Sequence, residues 1–273
     1  MSNTVKRVVS AIVIVAIVIA CLLQGEKVSL GLVFIFGFLV VDELFVNFFR
    51  KPRIHVQYVL AQATFSAPYI YLNFMDKAPD LSGILINLAL FIDILLLFFL
   101  LRDKKESSFF EYMSDKIPLF AGLFSLVFFM GLSSLFHYQK FKSLFAVLIL
   151  ITGGMDSGAW IVGKNFGKHK LMPTVSPNKT IEGFFGGIFF ATLLAAPAWH
   201  FLIKPVTVPF CFAIAALAAI SQLGDLVQSK LKRQFNLKDS SSLIPGHGGV
   251  YDRLDSILFV SPFFAITLSY FYY

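Results

Sequence analysis

Charge is scarce in this sequence. Only 14% of its 273 residues are Asp, Glu, Lys or Arg, against about 25% in an ordinary soluble domain. Hydrophobic residues make up 57%, and the mean hydropathy is +0.77. So few charges cannot cover a water-facing surface, which excludes a soluble globular domain and leaves an integral membrane protein. Cysteine is scarcer still: Cys21 and Cys211 both fall inside apolar runs, which argues against a disulfide framework and a thiolate metal site. Period-2 alternation is nearly missing from the long Phe-rich apolar runs, which favours a helix bundle over an outer-membrane barrel. No small-x-small cleavage site follows the first apolar run, where Gly25-Glu26-Lys27 stands instead. That run is therefore expected to be a spanning helix and not a removed leader. Internal repeats, low-complexity linkers and polar domains are lacking too, so the expectation is one continuous membrane domain.

About 20 apolar residues are needed to cross a bilayer. The runs that reach this length are 7–24, 28–49, 54–74, 81–101, 117–136, 142–163, 182–203, 206–228 and 255–272. They predict an all-α, polytopic protein of about nine transmembrane helices. With a cytoplasmic N-terminus, the inside connections carry 18 of the 23 Lys and Arg residues, and the outside ones carry Lys27, Lys77, Lys140, Lys142 and Lys204. That asymmetry alternates correctly across all nine spans. It also accounts for the net charge of +7 without a nucleic-acid partner.

The first 140 residues offer little chemistry and read as a scaffold of transmembrane helices, with room for homodimer contacts. Asp42, Glu43 and Asp93 are acidic groups in or beside apolar runs, where an isolated charge is costly. Snorkelling at the membrane edge, or pairing with Arg50 or Arg53, is the reading favoured for them. Segment 102–116 is expected to be an amphipathic surface loop.

Residues 141–273 carry three polar patches. In the first, Asp156, Trp160 and Lys164 recur four apart and share a helix face, followed by Lys168 and Lys170. Gly158 to Lys164 reads GxxxxGK, yet Asn165 stands where a P-loop needs Ser or Thr, and no strand precedes it. The second patch, Ser176-Pro177-Asn178-Lys179-Thr180, places a turn and donors before a helix expected to begin near Thr180 or Ile181. Glu182 then suits the helix dipole or a functional pairing, and Gly183, Gly186 and Gly187 allow close helix contact. The third patch runs from Ser221 to Asp255 and holds Asp225, Asp239, Asp252 and Asp255. Ser221, Asp225 and Ser229 form a polar stripe, Lys232, Arg233 and Lys238 follow, and Pro245 to Gly249 form a glycine-rich turn around His247. Carboxylates hold divalent cations, while Lys and Arg hold phosphate oxygens. These parts fit a phosphoryl-type transfer by positioning and electrostatics. Neither a Ser-His-Asp nor a Cys-His set is apparent, and the other four histidines read as loop or interface residues.

Residues Ser229 to Asp255 resemble the CDP-diacylglycerol synthase (phosphatidate cytidylyltransferase) family. They match its signature S-x-hydrophobic-K-R-x4-K-D, P-x-H-G-G-x2-D-R-x-D at every defined position. The patches at 156–170 and 176–183 are also similar to the family, whereas the first 140 residues resemble it only in hydropathy. The resemblance implies a magnesium enzyme, with room for a second cation, that acts on CTP and phosphatidic acid in a bilayer. The bacterial inner membrane is implied, with the site facing the cytoplasm. It implies Asp225, Asp252 and Asp156 as metal ligands, and Lys232, Arg233, Asp239, Asp255 and Ser229 as the catalytic core. Lys164, Lys168, Ser176, Lys179, Thr180, Lys238, His247, Gly248, Gly249 and Arg253 would bind substrate. Two positions depart from the family: Asn178 replaces a lysine, and Met155 stands where a polar residue is common. Rival readings are a CTP-dependent ether-lipid transferase, an isoprenoid-alcohol kinase and an ion-coupled transporter.

Overall fold

The computed structural model describes residues 3–75, 79–101 and 119–273, together with 112 and 117. The expected surface loop 102–116 therefore lies outside the described residues, apart from residue 112. The described residues form nine α-helices: α1 (Asn3–Gln24), α2 (Glu26–Glu43), α3 (Val56–Phe74), α4 (Pro79–Leu101), α5 (Phe120–Ser133), α6 (Phe141–Phe166), α7 (Ile181–Leu202), α8 (Val208–Gln234) and α9 (Tyr251–Phe271). A π-helical turn, Leu44–Phe48, extends α2, and a 3-10 turn, Ser134–His137, extends α5. Eight of these helical segments are long and apolar enough to cross a membrane, so the protein is an all-α, multi-pass membrane protein. The other, α3, carries Gln57, Gln62, Thr64, Ser66 and Asn73. Part of its polarity is met within the packing: Gln62 donates to the Phe38 carbonyl at 3.1 Å, Thr64 to Leu60 at 2.8 Å and Asn73 to Tyr69 at 3.0 Å.

The chain divides into two compact units. The first comprises the described parts of 1–89 and 103–136 together with 231–254, and the second comprises 90–102, 137–230 and 255–273. Among the described residues the chain crosses between them within α4, the 3-10 turn Ser134–His137, α8 and α9.

In the first unit, α2, α3 and α5 pack against one another and α1 against α2. An aromatic cluster fills their centre: Phe65 lies 5.8 Å from Phe34, 5.4 Å from Tyr69 and 5.8 Å from Phe129 between ring centroids. Such offset and edge contacts stabilise beyond simple burial. The Tyr69 hydroxyl, fully buried, donates to the Leu30 carbonyl at 3.1 Å. Phe48, in the π turn, packs edge-on against Phe235 and Tyr251 at 5.4 and 6.0 Å, which joins the end of α2 to segment 231–254.

In the second unit, α6 and α7 make the most extensive helix contact. Small residues allow it. A Cβ at Gly158 would come within 2.6 Å of Phe190, and one at Gly187 within 2.6 Å of the Met155 carbonyl. Helices in lipid associate through such close backbone approach, since burying apolar surface gains little there. Between α6 and α7 the chain forms a short antiparallel hairpin, β1 (Lys170–Met172) with β2 (Ser176–Thr180). The turn expected at Ser176-Pro177 is thus a strand, and α7 begins at Ile181 as the sequence indicated.

Candidate functional site

The second unit encloses a cavity of about 490 Å³ where α6, β2, α7 and α8 meet. Asp156, Trp160 and Lys164 line it from one face of α6, as their spacing of four requires. Lys179 and Thr180 reach it from β2, and Gln222 and Asp225 from α8. Three patches separated by up to 70 residues therefore converge on one space. Lys179 Nζ donates to Asp225 Oδ2 at 2.6 Å, with the two side chains 21% and 29% exposed. Among the described residues Asp225 Oδ1 receives only a long contact of 3.5 Å from Ser229 Oγ. Lys164 Nζ lies 4.9 Å above the Trp160 ring, whose residue is 64% exposed. The cavity is amphipathic, with Trp160, Leu171 and Phe184 beside the cations.

Local geometry explains how β2 is presented. Thr180 caps α7 by accepting from the Gly183 amide at 3.1 Å. Glu182 accepts from the amides of Lys168 and His169, at 3.0 and 3.2 Å, and lies 2.6 Å from the His169 ring. Its pairing holds the start of the hairpin to the first turn of α7. Lys168 and Ser176 do not line the cavity; they are parts of that hairpin frame. Lys230, counted in the sequence as one more cation, is buried and donates to the carbonyls of Phe99 and Leu100 at 2.6 and 3.3 Å. It closes the end of α4, where a cation suits the helix dipole. Asp255 Oδ1 accepts from the Ser256 amide at 2.8 Å at the edge of this unit. Asp93 differs from expectation: it is fully buried, and neither carboxyl oxygen has a hydrogen-bond partner among the described residues.

The first unit holds a second cavity of about 490 Å³, lined by Arg7, Lys238, Asp239, His247, Gly248 and Arg253 among others. It is more polar, and three fixed cations give it the character of an anion site. Gly246 and Gly248 have φ of +79° and +88°, so the 245–249 turn uses the left-handed conformations that glycine permits. Arg7 Nε donates to the Gly246 carbonyl at 2.8 Å, and Ser10 Oγ lies 2.8 Å from His247 Nδ1. His247 is held below the usual histidine pKa, first by burial and then by Arg253 and Arg7.

Beside this turn, Asp252 is nearly buried. Its Oδ1 accepts from Lys232 Nζ at 2.7 Å, and the side chains are 4% and 11% exposed respectively. Its Oδ2 accepts from the amides of Ser240 and Gly249 and from Ser240 Oγ, at 2.7, 2.9 and 3.0 Å. Arg233 instead turns to the Leu237 carbonyl at 3.3 Å and ties the end of α8.

A divalent cation fits this donor chemistry. Among the described residues no three Asp, Glu, His or Cys side chains gather around one point. Magnesium needs no such cage: it commonly takes one or two carboxylates and completes its octahedron with phosphate oxygens and water. In the second unit Asp225, with Asp156 on the same cavity, offers such a seat. In the first, Asp252 Oδ1 offers one oxygen. Both carboxylates already face a cationic nitrogen in the structure.

Two polar side chains, Glu43 and Arg7, lie where local sequence does not place them. Glu43, expected at the membrane edge or paired with a nearby arginine, accepts four hydrogen bonds from segment 240–251. It is Asp42 that takes the bidentate pairing with Arg53, at 2.6 and 2.7 Å. Arg7, counted only for orientation, lines the anion cavity. An isolated acid in an apolar run was the sole local signal for Glu43; its partners lie about two hundred residues away in sequence.

A family model described as the cytidylyltransferase family matches residues 5–271. A phosphatidate cytidylyltransferase of Bacillus subtilis (strain 168) is 49% identical over 119 residues, covering 42% of this chain and 44% of that protein. The phosphatidate cytidylyltransferase of Staphylococcus aureus (strain COL) is 41% identical over 144 residues, 51% of this chain and 55% of its own length. That of Staphylococcus epidermidis (strain ATCC 12228) is 42% identical over 146 residues, with 51% and 55% covered. The aligned stretch spans about half the length of these curated relatives.

Proposed function

This chain belongs to the cytidylyltransferase family, and from that premise we propose that it transfers CMP from CTP to phosphatidic acid. The products are CDP-diacylglycerol and pyrophosphate. A phosphate oxygen of the lipid attacks the α-phosphorus of CTP, the bond to the β-phosphate oxygen breaks, and its electron pair leaves with pyrophosphate. The attacking monoester has a second pKa of about 6 and is already anionic near neutrality. No general base is needed, in keeping with a site built from carboxylates and cations.

The observation that carries this reading is the convergence of Asp156, Lys164, Lys179, Thr180 and Asp225 on one amphipathic cavity. Lys164 and Lys179 suit phosphate oxygens, while Trp160, Leu171 and Phe184 suit an apolar or aromatic portion of a substrate. In the other unit, Arg7, Lys238 and Arg253 suit a polyphosphate, with the backbone of Gly248 and the ring of His247 beside them. Asp225, Asp156 and Asp252 would hold magnesium, joined by a second cation where both seats fill. When bound, magnesium would neutralise charge on the departing pyrophosphate. Lys179 and Lys232, paired with Asp225 and Asp252, supply cations that can turn to phosphate oxygens.

The charge asymmetry of the connections supports a cytoplasmic N-terminus and a site open to cytoplasmic CTP, in a bacterial inner membrane. A homodimer in the bilayer completes the proposal; mass measurement in nanodiscs tests it. The reaction is tested with purified protein, magnesium and CTP, offered either phosphatidic acid or an isoprenoid alcohol. CDP-diacylglycerol with one pyrophosphate per lipid is expected. CDP release with a phosphorylated alcohol would replace the proposal with a kinase.

A further inference from the structure

We infer that Glu43 is a positioning residue for the proposed reaction: it holds segment 240–251 so that Asp252 and the glycine turn keep their substrate-facing geometry. The inference rests on the cytidylyltransferase reading for its activity arm and on geometry alone for the rest. Glu43 is the last residue of α2 and is 2% exposed. The helical backbone continues through the π turn Leu44–Phe48, so the Glu43 carboxylate is buried within the packing, where a charge is disfavoured unless donors compensate.

Four donors do. Oε1 accepts from Ser241 Oγ at 2.7 Å and from the Val250 amide at 2.8 Å. Oε2 accepts from Ser240 Oγ at 2.8 Å and from the Tyr251 amide at 2.9 Å. Two donors lie on one side of the glycine-rich turn and two on the other, so a single carboxylate ties both ends of the segment. The Val250 and Tyr251 amides open α9, where helix N–H groups have no partner within the helix. Glu43 therefore caps α9 from a helix about two hundred residues earlier.

The link to the reacting groups runs through Ser240. Its hydroxyl touches both Glu43 Oε2 and Asp252 Oδ2, and its amide donates to Asp252. Fixing Ser240 thus fixes the oxygen that orients Asp252, and leaves Oδ1 to face Lys232. Gly249 fits the same arrangement: a Cβ there would come within 2.6 Å of both Glu43 oxygens. Asn47, one turn beyond Glu43, donates to the Ser240 carbonyl at 2.7 Å and braces the same residue.

The full-length protein in nanodiscs tests this with Glu43→Gln, Glu43→Asp and Ser241→Ala. Glutamine replaces one acceptor oxygen with a donor that faces two donors. Hydrogen exchange at residues 240–251 should rise at least tenfold in Glu43→Gln, with exchange in α3 and α5 unchanged. Activity should show KM for CTP raised about tenfold or more, and kcat lowered, while KM for the lipid changes little. Glu43→Asp should recover part of the loss, and Ser241→Ala should shift the same quantities less. Unchanged exchange in segment 240–251, or a fall in melting temperature with KM for CTP intact, would overturn the inference. Should Glu43→Gln fail to fold, Glu43→Asp and Ser241→Ala carry the same two readouts. An inactive wild type would refute the proposed reaction, while the exchange measurement would still decide the role of Glu43.

Discussion

Two aspartate–lysine pairs, one in each compact unit, look alike in distance and differ in everything around them. Asp225 and Lys179 meet at 2.6 Å, Asp252 and Lys232 at 2.7 Å. Asp225 is 29% exposed, with one oxygen contacted among the described residues only by Ser229 at 3.5 Å. Asp252 is 4% exposed, and its second oxygen accepts from two backbone amides and shares the Ser240 hydroxyl proton with Glu43. The first pair is an adaptable carboxylate on a substrate-sized cavity. The second is a fixed carboxylate built into the fold and presents a single oxygen. The same two residue types are thus loosely held in one unit and tightly held in the other.

The sharpest way to separate the pairs is to remove each lysine. Lys232→Met leaves a buried carboxylate without its counter-charge, a change that costs about 3–5 kcal/mol. Thermal unfolding should show a large loss. Lys179→Met leaves a carboxylate that is 29% exposed and keeps part of its solvation, so its loss of counter-charge costs less than at the buried pair. Its unfolding should move less, while turnover falls about 10²–10³-fold, as expected for loss of one preorganised charge contact. Equal stability losses in the two variants would erase the distinction.

A smaller effect is expected at Gly249, where alanine presses its methyl on the Glu43 carboxylate and Ser240. Overpacking of this kind costs about 1–3 kcal/mol, read as a lowered melting temperature, whereas Gly153→Ala, with open space around it, should be tolerated. The smallest effect concerns His247. Its folded pKa lies below the unfolded value of about 6.5. The unfolded chain therefore binds more protons below that pH, and stability falls as pH drops through and beneath 6.5. His247→Gln should flatten that slope between about pH 7.5 and 5.5.

The same contrast shows what a sequence discloses. The helices were legible because twenty-residue apolar runs have one stable outcome in lipid, and α6 delivered Asp156, Trp160 and Lys164 to one face because their spacing is local. The α3 boundaries also followed, although its glutamines and asparagine dilute the apolar signal. At Ser176-Pro177 the sequence indicates a turn where the chain forms the second strand of a hairpin, because Pro177 and strands of three and five residues give no alternation. Glu43 was noticed as a costly charge and assigned to the wrong partners. Arg50 and Arg53 were near in sequence, whereas its actual donors are at 240–251. Arg50 instead donates to the Phe235 carbonyl at 3.1 Å, from a left-handed conformation with φ of +53°. Local periodicity carries no information about such pairings. Lys168 and Ser176 illustrate the reverse: they lie in family-like patches, yet they build the hairpin that presents Lys179 and do not line the cavity.

The central claim is that two carboxylates, Asp225 and Asp252, support CMP transfer to a lipid phosphate. Its most direct test is magnesium-dependent incorporation of radiolabelled CTP into a chloroform-soluble product, with phosphatidic acid as acceptor. Wild type should give labelled CDP-diacylglycerol, and folded Asp225→Asn and Asp252→Asn should each give at least about a hundredfold less. Undiminished labelling in both variants would contradict the account and move the chemistry to other groups.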